Sequence, residues 1–208
     1  MSHYQGDDCP KRHCPDIGLV GWMRSGKDSV ADWLIEHYGY RKLGFATALK
    51  AEVARGVGCR SEELNAEPLK SQVRQVLQVW GTEFRRGQDP DYWVKMARGQ
   101  ILLRGADRHP HPLVFTDVRF QNEIDMLRDH GFLIVHVDMP LRDVTSYFLA
   151  HGKTDEQIEA MLSHPSEQEW QHAEVNERIE SNRGDLLGLY AQTKLLVERH
   201  ADRISTTA

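Results

Sequence analysis

The chain is short of cysteine, short of aromatic residues and without a long apolar run. Its 208 residues include 3 Cys and 8% aromatic side chains. The odd set Cys9, Cys14 and Cys59, with no secretion signal ahead of it, argues for free thiols in a reducing compartment and against a disulfide framework. Cys9 and Cys14 flank His13 but lack the CxxC pairing of structural zinc modules, so a floppy tail is favoured over a metal site. No stretch approaches the roughly 18 consecutive apolar residues of a membrane span. The start, MSHYQGDDCPKRHCP, has no apolar core of a secretory signal. A cytoplasmic protein is expected, with no membrane partner. Positive charge is also lacking: a formal net charge of -5 gives no support for nucleic acid as a partner. Any phosphate chemistry must rest on local clusters of Arg and Lys.

What is present is enough apolar sequence, 40% of the chain, for one compact domain of α/β type. Residues 1–16 read as a poorly ordered tail, 17–200 as a single domain and 201–208 as a short C-terminal tail. Ile17 to Gly21 is a short apolar run ending in Gly, the pattern of a buried parallel strand. Val30, Trp33, Leu34 and Tyr38 then follow at helical spacing, and Gly39 stops that helix. A short strand at 41–45 and a helix toward Val57 come next. Apolar positions 69, 73, 76, 77, 80 and 84 trace one face of a long helix. Asp89-Pro90 opens another through Trp93, Ala97 and Ile101. Strands at 112–117 and 132–137 enclose a helix, a β-α-β unit. A short strand at 177–182 precedes a last amphipathic helix. Strands alternating with helices predict a mostly parallel sheet covered on both faces, with ligands bound at the carboxyl ends of its strands.

Gly21-Trp22-Met23-Arg24-Ser25-Gly26-Lys27 fits GxxxxGK between a predicted strand and a predicted helix, the context of a P-loop. Glycines let successive backbone N–H groups point at one phosphate, and the lysine reaches the outer phosphates. Gly21, Arg24, Ser25, Gly26 and Lys27 are therefore the predicted phosphate site. The next position usually carries a Ser or Thr that ligates Mg²⁺, but here it is Asp28, followed by Ser29. Either side chain suits the metal, and Asp28 also suits the positive end of the helix. Asp117 ends a predicted strand, where it serves either as a carboxylate for Mg²⁺ waters or as a helix cap; Arg119 beside it suits a phosphate.

The segments SGKDSVADWL (25–34), LQVWGTEFRR (77–86), DPDYWV (89–94), TDVRFQNE (116–123), HPSE (164–167) and IESNRG (179–184) resemble, in order, the deoxynucleoside monophosphate kinase family of bacteriophages. The GKD and DVR elements are more distantly similar to animal phosphomevalonate kinase. The first resemblance implies a P-loop NTPase fold of the nucleoside monophosphate kinase type. It also implies ATP and Mg²⁺ as cofactors, and a small-molecule acceptor that becomes a deoxynucleoside diphosphate. It suggests that Arg85 or Arg86 grips the acceptor phosphate. Gln78, Trp80 and Glu83 offer stacking and hydrogen bonds for the base, although Trp80 also belongs to the apolar stripe. Residues 141–171 lie where such kinases carry a lid, with Arg142 its arginine. Asn182 suits the adenine of ATP, or equally a turn before the last helix. The catalytic set is then Lys27, Asp117, Arg119 and Arg142. A kinase of another phosphorylated acceptor and a P-loop regulatory protein are the alternatives. A homodimer is left open.

Overall fold

The apolar run at 17–20 forms β1 (Ile17–Val20), buried at every residue. A strand without polar alternation has to be covered on both faces, and β1 lies centrally in a five-stranded sheet of order β2-β3-β1-β4-β5. The others are β2 (Arg41–Leu43), β3 (Leu113–Phe115), β4 (Leu133–Asp138) and β5 (Glu177–Glu180). The β1–β3, β1–β4 and β4–β5 pairings are parallel, with Ile17 opposite both Val114 and Leu133 and Val137 opposite Ile179. This computed structural model describes residues 14–104 and 110–206. Cys9 and His13, with most of the expected N-terminal tail, lie outside them.

The helices are α1 (Lys27–Tyr38), α2 (Phe45–Val57), α3 (Leu69–Gln78), α4 (Tyr92–Arg104), α5 (Gln121–Asp129), α6 (Leu141–Ala150), α7 (Asp155–Leu162), α8 (Pro165–Gln168) and α9 (Leu186–Thr206). On one face of the sheet Leu19, Val135 and Val137 pack with Leu34 of α1 and Leu189 and Val197 of α9. On the other, a side chain at Gly18 would run into Leu127 of α5. The fold takes hold earlier than the sequence suggests. Pro15 O accepts the Tyr40 hydroxyl at 2.7 Å, and an Asp16 carboxylate oxygen accepts the Leu113 N–H at 2.7 Å.

The chain divides into two compact units, although its composition offers no linker. The first takes in the residues up to Lys42 and those from His111 onward; the second runs from Leu43 to Pro110. Within the first, the polar-looking stretch 141–171 folds as α6, α7 and α8 around Val144, Phe148 and Ile158, and the P-loop side chains Trp22 and Met23 pack against that cluster. Thr154 and Gln157 cap α7 reciprocally, which a loop-like composition conceals.

The second unit closes around Val53, Ala54, Leu64 and Val73. The single helix expected over 69–84 is instead α3 followed by a wider π-helical stretch, Val79–Arg86. The cause is local. Gly81 sits so close to Leu49 that a Cβ would come within 2.7 Å of it, and its carbonyl accepts the Trp93 indole N–H at 2.9 Å. A carbonyl turned toward a side chain loosens the regular ladder.

Cys59 is a free thiol, and the sequence predicts no disulfide. Adding a thiol reductant is accordingly expected to leave the melting temperature unchanged. A fall, with metal content constant, would reveal a disulfide and reverse this reading.

Candidate active site

The loop between β1 and α1 is shaped by residues that only glycine can replace. Gly21 has φ +139°, and a Cβ there would lie 2.5 Å from the Val137 carbonyl oxygen. Gly26, at φ +101°, precedes α1, whose first amides no side chain caps. Uncapped amides at a helix start are an anion site in waiting. Arg24 also holds a positive φ, 66°, a conformation that costs a side chain energy and that the surrounding loop must enforce. Its guanidinium lies 5.3 Å from the centre of the Tyr147 ring of α6. Ser25 is buried, and its hydroxyl has no hydrogen-bond partner.

Lys27 curls back into this loop. Its ammonium donates to the carbonyls of Gly21 at 2.7 Å and Trp22 at 2.6 Å. Burial, reinforced by the Arg119 charge, pulls its pKa down to about 8 even though Glu167, Asp28 and Asp117 favour the cation. Those four residues are thus the electrostatic surroundings of the lysine. An ammonium held by loop carbonyls, an orphaned hydroxyl and uncapped amides fit a polyphosphate. Among the described residues no group of three or more His, Cys, Asp or Glu is placed to hold a metal. Mg²⁺ in a nucleotide site binds through one or two carboxylates and takes its remaining ligands from phosphates and water. Asp28 and Asp117 are the carboxylates on hand. The Asp28 side chain is exposed and accepts from Lys42 at 2.7 Å. Desolvation alone would raise its carboxyl, but Lys42, Lys27 and Thr116 outweigh it and hold the pKa below the ordinary value. Ser29 lies half-buried one residue on.

Arg119 follows β3, where the sequence places it, and Glu123 holds its backbone by accepting the N–H groups of Arg119 and Phe120 at 2.8 and 3.2 Å. Its guanidinium is paired with Glu167, and Ser166 Oγ accepts from the same nitrogen at 3.3 Å. Glu167 was not singled out by the sequence as part of a phosphate site. Its signals are its place in the HPSE segment and the His164-Pro165 helix start, where His164 Nδ1 accepts the Ser166 N–H at 3.2 Å. Arg142 stands elsewhere, 85% exposed in the first turn of α6 with Asp143 beside it at 3.9 Å. Asn182 is exposed in a turn, its carbonyl accepting the Asp185 N–H at 3.0 Å.

The second unit carries its own cluster. Glu52 of α2, also missed by the sequence reading, accepts from Arg85 at 3.0 and 3.1 Å, from the Trp80 indole at 2.8 Å and from the Tyr92 hydroxyl. Desolvation would raise the Glu52 carboxyl, yet these donors hold it below its usual range, and the same bond raises the Tyr92 phenol. The guanidinium of Arg85 lies 4.7 to 5.7 Å from the ring centres of Tyr92, Trp80 and Phe84, within reach of cation–π attraction. Trp80 stacks on Phe84 and also packs against the unit's core. Arg86 reaches the Pro90 carbonyl at 3.4 Å, and Gln78 and Glu83 are exposed.

Known proteins resemble this chain in sequence or in fold. The model of the family "Deoxynucleotide monophosphate kinase" matches residues 58–151. The "Putative deoxynucleotide monophosphate kinase" of Acanthamoeba polyphaga mimivirus is 27% identical over 183 residues, 70% of this chain and 93% of that protein. "Uncharacterized protein ORF76" of Ictalurid herpesvirus 1 is 32% identical over 117 residues, 56% of this chain and 45% of its own length. Among solved structures, TT1252 from Thermus thermophilus superposes with a TM-score of 0.53 at 23% identity, covering 90% of this chain and 98% of that one. A gluconokinase from Sinorhizobium meliloti 1021 gives 0.53 at 15% identity over 95% and 99%. At such identities the structural likeness speaks for the fold alone, a parallel sheet flanked by helices with a P-loop after its first strand. The chain carries a P-loop on a parallel sheet flanked by helices and is similar in sequence, over residues 58–151, to the deoxynucleotide monophosphate kinases.

Proposed function

We propose that the protein transfers the terminal phosphoryl group of ATP to a deoxynucleoside 5′-monophosphate, giving ADP and the deoxynucleoside diphosphate. The observation that carries this reading is a pair of cations tied to the P-loop: Lys27, whose ammonium donates to the Gly21 and Trp22 carbonyls, and Arg119, paired with the Glu167 that accepts the Met23 N–H. An ATP-driven switch needs the lysine; a second cation fits a reaction that brings two phosphates together. The family match and the name of the mimivirus relative favour a deoxynucleotide as acceptor.

An acceptor phosphate carries about 1.5 to 2 negative charges at pH 7. Its oxygen forms the new bond to the γ-phosphorus while the bond to the bridging oxygen of ADP breaks, so no general base is called for. The loop amides with Arg24, Ser25 and Gly26 hold the phosphates, and Lys27 neutralises the charge that gathers on them. Asp28, Ser29 and Asp117 are the residues that would hold Mg²⁺, which when bound offsets phosphate charge. Arg119 meets the transferring group. In the second unit, Arg85 and Arg86 are assigned to the acceptor phosphate, with Gln78, Trp80 and Glu83 for its base. Asn182 is assigned to adenine. Residues 141–171, Arg142 among them, act as the lid. Protease cleavage within 141–171 should therefore slow when a bisubstrate analogue binds, whereas unchanged cleavage would remove the lid from the scheme.

ADP release measured over a panel of deoxynucleoside monophosphates tests the reading. Stimulation by at least one of them is expected; turnover indifferent to all of them would discard it. The metal assignment has its own check. Asp28→Asn should raise the Mg²⁺ concentration for half-maximal rate severalfold with little change in stability. An unchanged requirement, with a stability loss of about 0.3–1 kcal/mol, would make Asp28 a helix-dipole partner instead.

A further inference from the structure

Two of the carboxylates among the described residues are buried almost completely, Glu123 and Glu167. Both end on one residue. Glu123 accepts the backbone N–H of Arg119 and Glu167 pairs with its guanidinium. A carboxylate withdrawn from water is strongly unfavourable unless its charge and lone pairs are matched, so a fold that does this twice around one arginine fixes that arginine closely.

Glu167 has a second attachment. Its other oxygen accepts the N–H of Met23, inside the P-loop and 144 residues away in sequence, at 3.0 Å. One buried side chain, 1% exposed, therefore joins the phosphate-binding loop to Arg119. The grip is one-sided. Glu167 and Ser166 both use Nη1 of Arg119, whereas a purely structural pair would draw on the two-pronged face of the guanidinium. Nε and Nη2 donate to no described residue, and the side chain stays 36% exposed. The edge turned away from Glu167 is thus left for a ligand.

We propose that Glu167 is a positioning residue for phosphoryl transfer, holding one edge of Arg119 at a fixed place against the P-loop so that the other edge meets phosphate. The inference rests on the kinase reading above.

The test is a double-variant cycle with Glu167→Gln, Arg119→Ala and both together, assayed with ATP and an accepted deoxynucleoside monophosphate. Glu167→Gln should fold and lose kcat about tenfold or more, with KM for ATP changed less than about threefold; adding it to Arg119→Ala should cost nothing further. Full kcat in Glu167→Gln, or losses that multiply in the double variant, would overturn the proposal. Should Glu167→Gln not fold, Glu167→Asp keeps the charge, shortens the reach and carries the same comparison; failure of both to fold would make Glu167 a structural staple and overturn it too. A wild-type protein silent on every acceptor would instead sink the kinase reading itself.

Discussion

Lys27→Met should abolish acceptor-dependent ADP formation, by about 10²–10³-fold or more, and yet leave the protein at least as stable as before. In the proposed reaction the lysine serves phosphate and not the fold. Its pKa, lowered from 10.5 to about 8 chiefly by burial, means that the folded state binds fewer protons than the unfolded one across that window. Stability attributable to Lys27 therefore rises as pH climbs from about 8 toward 10.5, and below pH 8 the penalty of the buried cation is fully present. Removing the amine removes a penalty on the order of 1–3 kcal/mol, less the two bonds to loop carbonyls. Paired measurements of ADP release and melting temperature decide the matter. Near-wild-type turnover would defeat the P-loop assignment, and a large fall in melting temperature would mean that the lysine holds the loop together.

Arg85→Ala should raise KM for the deoxynucleoside monophosphate tenfold or more while KM for ATP barely moves. It should also destabilise the protein by about 1–3 kcal/mol, because Glu52 is left partly buried with only neutral donors. The acid side gives the signature. A carboxylate held below its ordinary pKa contributes stability that is present above that ordinary value and lost as pH falls through the folded one. The acid-dependent part of the stability should therefore shrink in Arg85→Ala, as it should in Glu52→Gln. Equal effects on the two nucleotides would remove Arg85 from the acceptor side and leave it a structural partner of Glu52. Arg86→Ala, at the neighbouring arginine that reaches the Pro90 carbonyl, is the comparison.

The P-loop was legible because its chemistry is local: glycines with positive φ, a following helix and a lysine all lie within one short stretch. The buried strands were legible from unbroken apolar runs, and α1, α4 and α9 from their spacing. Glu52 and Glu167 were not, because what defines them is a partner distant in sequence. Glu167 acquires its role from Met23 and Arg119, and Glu52 from Arg85, 33 residues away. A glutamate bound for burial carries no mark that distinguishes it from a solvated one. The π-helical stretch over Val79–Arg86 escaped for a related reason, since it depends on Leu49 and Trp93 approaching Gly81. Lys27, Arg119, Arg85 and Arg86 are candidates from sequence; the carboxylates that pair with Arg119 and Arg85 required the fold.

The sheet is bounded by two short strands of unusual make-up. β2 reads Arg41-Lys42-Leu43 and β5 reads Glu177-Arg178-Ile179-Glu180. Outer strands offer unpaired peptide groups to any passing chain, and charged side chains are the common guard against it. A further strand laid along β5 would have to accommodate Glu177 and Arg178, which Arg199 and Asp138 already engage. On the opposite margin it would meet Arg41 and the ammonium of Lys42. The sheet is accordingly a poor seed for edge-to-edge growth and amyloid-like stacking, and crowding should favour encounters through helical surfaces instead.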